Sequence, residues 1–218
     1  MYEKVCSKDL MPVIVICLLA VSSIVSLILS VPSISGMGII VGVVYFFWIK
    51  KKRNLSQTEV GLSRLGLWHH IRNNWLLIIV PSFLNIVAIM LSKLILADYF
   101  DHVISRVEGV LTLDKMPVLI IQFIIFAFVE ELVWRGVVQH NISKYLKPVT
   151  AIIVSSIFFA IAHAAAGPIN IVTYDLFFVL LNSIVYGLIF YKTKNIYISS
   201  LSHFIANLSG VMIFMSLI

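Results

Sequence analysis

The sequence predicts an all-α fold, a polytopic transmembrane helix bundle of about seven spans, on three observations. Hydrophobic residues make up 61% of the chain against 12% charged, and the mean hydropathy is +1.05, well beyond an ordinary soluble domain. The apolar residues come in runs of roughly 20, the length at which a helix crosses a hydrocarbon core about 30 Å thick. The 16 Lys and Arg residues gather at the ends of those runs, where they orient a bundle. They form no single basic face of the kind nucleic acid needs.

In chain order the spans are Met11 to Val31, Ser35 to Ile49, Trp75 to Leu96, Pro117 to about Gln139, Pro148 to about Ala166, Ile169 to Tyr191 and Ile196 to Ile218. The first run follows Lys4 and Lys8 as a secretion signal would, yet its length and the lack of a small-x-small cleavage site mark a retained anchor. The second is short and glycine-rich. Spans of this number leave no room for a soluble appendage, so residues 1–218 read as one membrane-embedded domain. The setting is the cell membrane, and the lipid bilayer is the first partner.

Charge sets the orientation. Lys50, Lys51, Lys52, Arg53, Arg64 and Arg72 follow the second span, Lys144 and Lys147 the fourth, and Lys192 and Lys194 the sixth. Cytoplasmic loops carry such an excess, so the amino terminus is expected in the cytoplasm and the carboxyl terminus outside. The loop from Ala97 to Met116, with Asp98, Asp101, Glu108 and Asp114, then lies outside. Between Leu62 and Trp75, apolar Leu62, Leu65, Trp68, Ile71 and Trp75 recur three and four apart among Arg64, His69, His70 and Arg72. This spacing predicts an amphipathic helix on the inner surface. His69 and His70 are adjacent, point about 100° apart on a helix of 3.6 residues per turn, and read as part of a solvated face rather than as metal ligands. The two cysteines, Cys6 and Cys17, indicate neither a disulfide framework nor a thiolate metal site.

Three polar patches break three of the apolar runs, and lipid makes such residues costly unless they serve a site. In the fourth span, Glu130-Glu131 precede Arg135. On a helix Glu131 and Arg135 stand at i and i+4, close enough to pair, whereas Glu130 is turned away from any cation at that spacing. A carboxylate held apolar and unpaired suits a general base that takes a proton from water near neutral pH. In the fifth span, Phe159 and His163 share a helix face among small residues that permit close helix approach. In the seventh, His203 and Asn207 share a face, and imidazole and carboxamide are both donors to an oxyanion. Taken singly, each patch also reads as structure: a buried ion-pair network in the first case, interhelical hydrogen bonding in the other two. Asn85, Gln122, Asn182 and Ser183 read as helix-to-helix hydrogen-bonding groups.

The order Glu-Glu-x-x-x-Arg, Phe-x-x-x-His and His-x-x-x-Asn on three separate spans, over roughly Pro117 to Gly210, resembles the CPBP family of intramembrane peptidases. That family, also called Abi, includes CAAX prenyl endopeptidases and bacteriocin-processing or self-immunity proteins. Trp134 before Arg135 replaces a frequent Phe. The resemblance implies a catalytic core over residues 117–210 in which Glu130 and His163 position and activate a water. It further implies that His203 and Asn207 stabilise the tetrahedral oxyanion, with Glu131, Arg135 and Phe159 as structural support. The expected substrate is a peptide or membrane-tethered protein tail, and the expected setting is bacterial peptide maturation or bacteriocin self-immunity.

No cofactor is required on that reading. The family has also been treated as metal-dependent, and a divalent metal such as zinc would then draw its ligands from Glu130, His163 and His203. Direct action of Glu130 on water is the simpler scheme, because Glu130 as a ligand would leave no second free carboxylate as base. Other peptidase classes fit poorly: Gly-x-Ser-Gly and His-Glu-x-x-His are absent, and Tyr174-Asp175 has no Gly-x-Gly-Asp partner. The competing class is a non-catalytic immunity or scaffold protein using its polar residues as internal glue. A transporter would need matched broken helices in two halves, and none are visible.

One inconsistency follows from depth. At about 1.5 Å per residue, Glu130 and His203 fall in the inner half of a core about 30 Å thick, while His163 comes out about 12 Å further from the inner edge. A shared site therefore requires that the fifth span start below the hydrocarbon or tilt strongly.

Overall fold

The computed structural model describes residues 10–29, 32–96, 98–101, 116–165 and 167–217, apart from the side chains of residues 27, 32–34 and 217. Seven helices account for nearly all of the described chain: α1 (Met11–Leu29), α2 (Pro32–Lys52), α3 (Leu67–Ile95), α4 (Met116–Ile142), α5 (Pro148–Ala162), α6 (Ile169–Thr193) and α7 (Ile196–Leu217). Among the described residues there is no strand, and α3, α4, α6 and α7 are each long and apolar enough to cross a membrane. The all-α bundle and its element order follow the hydropathy pattern. Cys6 and most of the acidic loop before Met116 lie outside the described residues.

The chain changes direction where local chemistry requires it. Pro148 opens α5, where its missing N–H costs nothing. Lys194 adopts a left-handed conformation (φ 52°) that ends α6 and lets α7 start two residues later. The surface helix expected from Leu62 begins instead at Leu67 and runs into α3 through a kink at Asn74 (φ −124°), whose side-chain amide bonds back to the His70 carbonyl. Trp68 stands 75% exposed on its outer side, while Leu67 and Ile71 pack on the cluster of Ile78, Val185, Ile189 and Ile198. Leu62 is no part of that helix. It is buried in the main core beside Phe190 and Ile196.

The loop carrying Leu62 resolves the depth inconsistency. The Gly61 carbonyl accepts from the Ile196 N–H at 2.8 Å, and the Asn195 amide donates to the Ser63 carbonyl at 2.7 Å. Asn195 and Ile196 are thereby covered, at 2% and 0% exposure. The turn between α6 and α7 is recessed inside the protein, so His203 lies deeper than a count from that turn gives. Helix α4 also continues past Gln139 to Ile142, which puts Glu130 near its middle, about 18 Å from its carboxyl end at 1.5 Å per residue. His163, counted about 22 Å from Pro148, then matches.

The main core surrounds the second half of α4. Leu132–Gln139 form a π-helical segment, in which Leu132, Val133, Trp134, Val137 and Val138 are buried against Leu19 of α1, Phe46 of α2, Phe159 of α5 and Phe190 of α6. Close helix approach depends on small residues: a Cβ on Gly136 would stand 2.9 Å from Phe46, and one on Gly187 2.9 Å from Gln139. Asn182 donates to Asn85, Asn85 to the Ala206 carbonyl, and Arg135 to Ser183, so these three polar residues do link helices. Gln122 does not. It is exposed and makes no hydrogen bond with a described residue.

The covering loop is itself held by a local motif. The Ser56 N–H and hydroxyl both donate to the Glu59 carboxylate, at 2.8 and 2.7 Å, and hold that carboxyl below the usual carboxylate range. A carboxyl with a depressed folded-state pKa stabilises only while ionised, so its contribution is full near neutral pH and lost as pH falls through the lowered value. Hydrogen exchange of the amides from Gln57 to Leu62 is expected to accelerate over that acid range. Ser56→Ala should raise exchange at neutral pH and flatten the pH dependence.

Candidate active site

The site is assembled by the switch from α to π geometry immediately after Glu131. In the π segment the hydrogen-bond ladder widens, as the His140 N–H reaching back to the Arg135 carbonyl shows. The Glu131–Arg135 pair survives the switch: Arg135 Nε donates to Glu131 Oε2 at 3.0 Å, with both side chains at 0% exposure. Arg135 Nη2 continues to Ser183 Oγ on α6 at 2.9 Å, and one turn on, Gln139 donates to the Gly187 carbonyl at 3.0 Å. Two successive bonds therefore fix the register of α4 against α6.

The structure brings Glu130, His163 and His203 together from α4, the end of α5 and α7. His163 Nε2 stands 3.3 Å from Glu130 Oε2, and His203 Nε2 stands 3.9 Å from the same oxygen. Each imidazole has its other nitrogen occupied. His163 Nδ1 lies 2.8 Å from the Phe159 carbonyl, which only accepts, so that nitrogen carries hydrogen. His203 Nδ1 lies 3.2 Å from Glu131 Oε1, and a carboxylate paired with arginine likewise accepts. Both Nε2 atoms are left turned to Glu130. Whenever Nε2 of His163 lacks a proton it confronts the lone pairs of Oε2, so this contact is favourable only with a proton between the two atoms.

Aromatic rings set the imidazole planes. Phe159 stacks on His163 with centroids 4.3 Å apart and meets His203 and Trp134 edge-on at 5.9 Å each. The Arg135 guanidinium lies 5.4 Å from the same ring. Tyr186, absent from the sequence-derived set, stacks on the opposite partner, His203, at 4.6 Å and 16°. Its signal was weak: a tyrosine three residues after Ser183 in a span rich in aromatic residues.

Access differs across the site. His163 is 33% and Glu130 24% exposed, while Glu131 and Arg135 are sealed. The open edge of the cluster is thus the Glu130–His163 side. Asn207 follows His203 by one unbroken turn of α7, is half-buried, and makes no side-chain hydrogen bond with a described residue. As placed, the side chains do not form a metal site: among the described residues no group of three or more His, Cys, Asp or Glu is arranged to hold a metal ion.

Residues 112–209, which contain every one of these groups, match the family described as Type II CAAX prenyl endopeptidase Rce1-like. That match spans 98 of the 218 residues and makes this part of the chain similar to CAAX-type intramembrane proteases, set in a multi-pass bundle of apolar helices. Curated proteins and solved structures give no match.

The ion pair at the centre of this arrangement yields a stability test. Arg135→Met leaves the Glu131 carboxylate buried without its cation, which typically costs about 3–5 kcal/mol. Thermal unfolding in detergent is expected to show that loss, and the double variant Glu131→Gln/Arg135→Met to recover most of it.

Proposed function

We propose that the protein is an endopeptidase that hydrolyses a peptide bond of a membrane-associated peptide or protein tail with a water activated at Glu130. The observation that carries this reading is the convergence of two imidazole Nε2 atoms on one partly exposed carboxylate. The contact between His163 Nε2 and Glu130 Oε2 closes only with a proton between the two atoms, and Oε2 makes no hydrogen bond of good geometry as placed, so this pair has room for the proton that water gives up.

The steps balance on the chain's own groups. A water on the open side loses a proton to Glu130 as its oxygen attacks the scissile carbonyl carbon, and His163 shares that proton across the 3.3 Å contact. The carbonyl π electrons pass to oxygen, and the resulting oxyanion is met by His203 Nε2–H and the Asn207 amide. For that role Nε2 of His203 must carry a hydrogen while Nδ1 stays with the Glu131 carboxylate. Collapse of the intermediate breaks the C–N bond, and the proton held by Glu130 passes to the leaving amine. Glu131 and Arg135 never touch substrate in this scheme. They hold His203.

The setting we propose is maturation of a bacterial peptide or self-immunity against a bacteriocin, at the cell membrane with the amino terminus cytoplasmic. The prenylated tails named in the family description are the alternative substrate class. Both can be tested together by incubating the reconstituted protein with lipidated and unlipidated synthetic peptides and reading products by mass spectrometry. Glu130→Gln keeps the shape and removes the base, so cleavage is expected to fall by about 10²–10⁴-fold with folding intact. Asn207→Ala should lower kcat by up to about 10²–10³-fold. A folded Glu130→Gln variant that cleaves at the wild-type rate would overturn the reading.

A further inference from the structure

Tyr186 is 2% exposed in the middle of α6 and lies nearly parallel to the His203 ring, 4.6 Å between centroids and 16° between planes. Its own position is fixed from both sides. Three residues earlier Ser183 accepts from Arg135, and one residue later the Gly187 carbonyl accepts from Gln139. Arg135 in turn holds Glu131, and Glu131 holds Nδ1 of His203. The contacts thus close a circuit through three helices: Arg135 and Glu131 on α4, His203 on α7, and Tyr186 with Ser183 on α6.

Within that circuit the bond from Glu131 fixes one nitrogen of His203 but leaves the ring free to swing about it. The edge-on contact from Phe159, 5.9 Å away, limits the swing without setting a plane. A flat partner stacked face to face does set it, since offset-parallel aromatic rings hold a preferred mutual orientation. We propose that Tyr186 is a positioning residue that sets the plane of the His203 imidazole and so aims Nε2 into the space beside Glu130. The function resides in the ring and not in the hydroxyl. This inference rests on the assignment of His203 as an oxyanion donor.

The test uses the full-length reconstituted protein and a peptide cleaved by the wild type, with Tyr186→Phe, Tyr186→Leu and Glu130→Gln measured in parallel. Tyr186→Phe keeps the flat ring and is expected to stay within about threefold of the wild-type kcat. Tyr186→Leu should lose about 10–100-fold in kcat with KM within about twofold, since a misaimed donor weakens the transition state and not substrate binding. Equal losses in both variants, no loss in Tyr186→Leu, or a change in KM alone would overturn the proposal.

A second readout does not depend on turnover. In ¹⁵N-histidine spectra of the Glu130→Gln protein, His203 is expected as one tautomer or one protonation state, and Tyr186→Leu in that background should spread it over several. A single unshifted His203 signal there would overturn the proposal even if the leucine variant were too unstable to assay. Full activity of Glu130→Gln would instead sink the hydrolytic reading while leaving the spectral test of positioning in force.

Discussion

Everything in the site is referred to the Glu131–Arg135 pair, a carboxylate and a guanidinium with no exposure at all. Two charges in so apolar a place are tolerable only when each is also hydrogen-bonded elsewhere, and both are. Arginine extends to Ser183 on α6, and glutamate extends to His203 on α7. The pair therefore welds three helices at one level. It also distinguishes its neighbour: the Arg135 hydrogen bond goes to Glu131, and the side chains nearest Glu130 Oε2 are the two imidazoles. Two adjacent residues of one type thus acquire opposite tasks from the helical turn of about 100° between them.

The π segment is what makes this compatible with a membrane helix. Through Leu132–Gln139, Arg135 and Gln139 both reach α6 while Val133 and Val137 fill the main core with α1 and α2. Every backbone group in such an environment must find a partner within the protein, and the bonds that return from His140 to Arg135 and Val137 meet that demand. On the far side, the loop over the α6–α7 turn bonds the recessed backbone of Ile196 to Gly61. Both devices keep backbone groups partnered at depth, while the Trp134 Nε1 and Arg135 Nη1 side-chain donors find no hydrogen-bond partner among the described residues.

Much of this was legible in the chain. The helices follow from runs of apolar residues, the Glu131–Arg135 bond from i, i+4 spacing, and the meeting of Glu130, His163 and His203 from the order of three motifs on three spans. What failed was geometry that hydropathy does not encode. Leu62 has the right spacing for the surface helix, but Gly66 at positive φ separates it from α3, and Gly61, also at positive φ, turns the chain just before it. Depth counting assumed that all inner turns share one level, and the burial of Asn195 and Ile196 breaks that assumption. Tyr186 carried no distinguishing mark, since stacking depends on the meeting of two helices far apart in sequence.

The central claim is that Glu130 and His163 border a wet pocket inside the bundle. In a background lacking Cys6 and Cys17, Glu130→Cys and His163→Cys can each be exposed, in reconstituted protein, to a small hydrophilic thiol reagent. Ile121→Cys serves as a control on the outward face of α4, where Ile121 is an exposed apolar residue (57%) of a helix long and apolar enough to cross a membrane. The account predicts rapid modification at positions 130 and 163 and little at 121. Modification at 121 alone, or no reaction at either site position in folded protein, would contradict it.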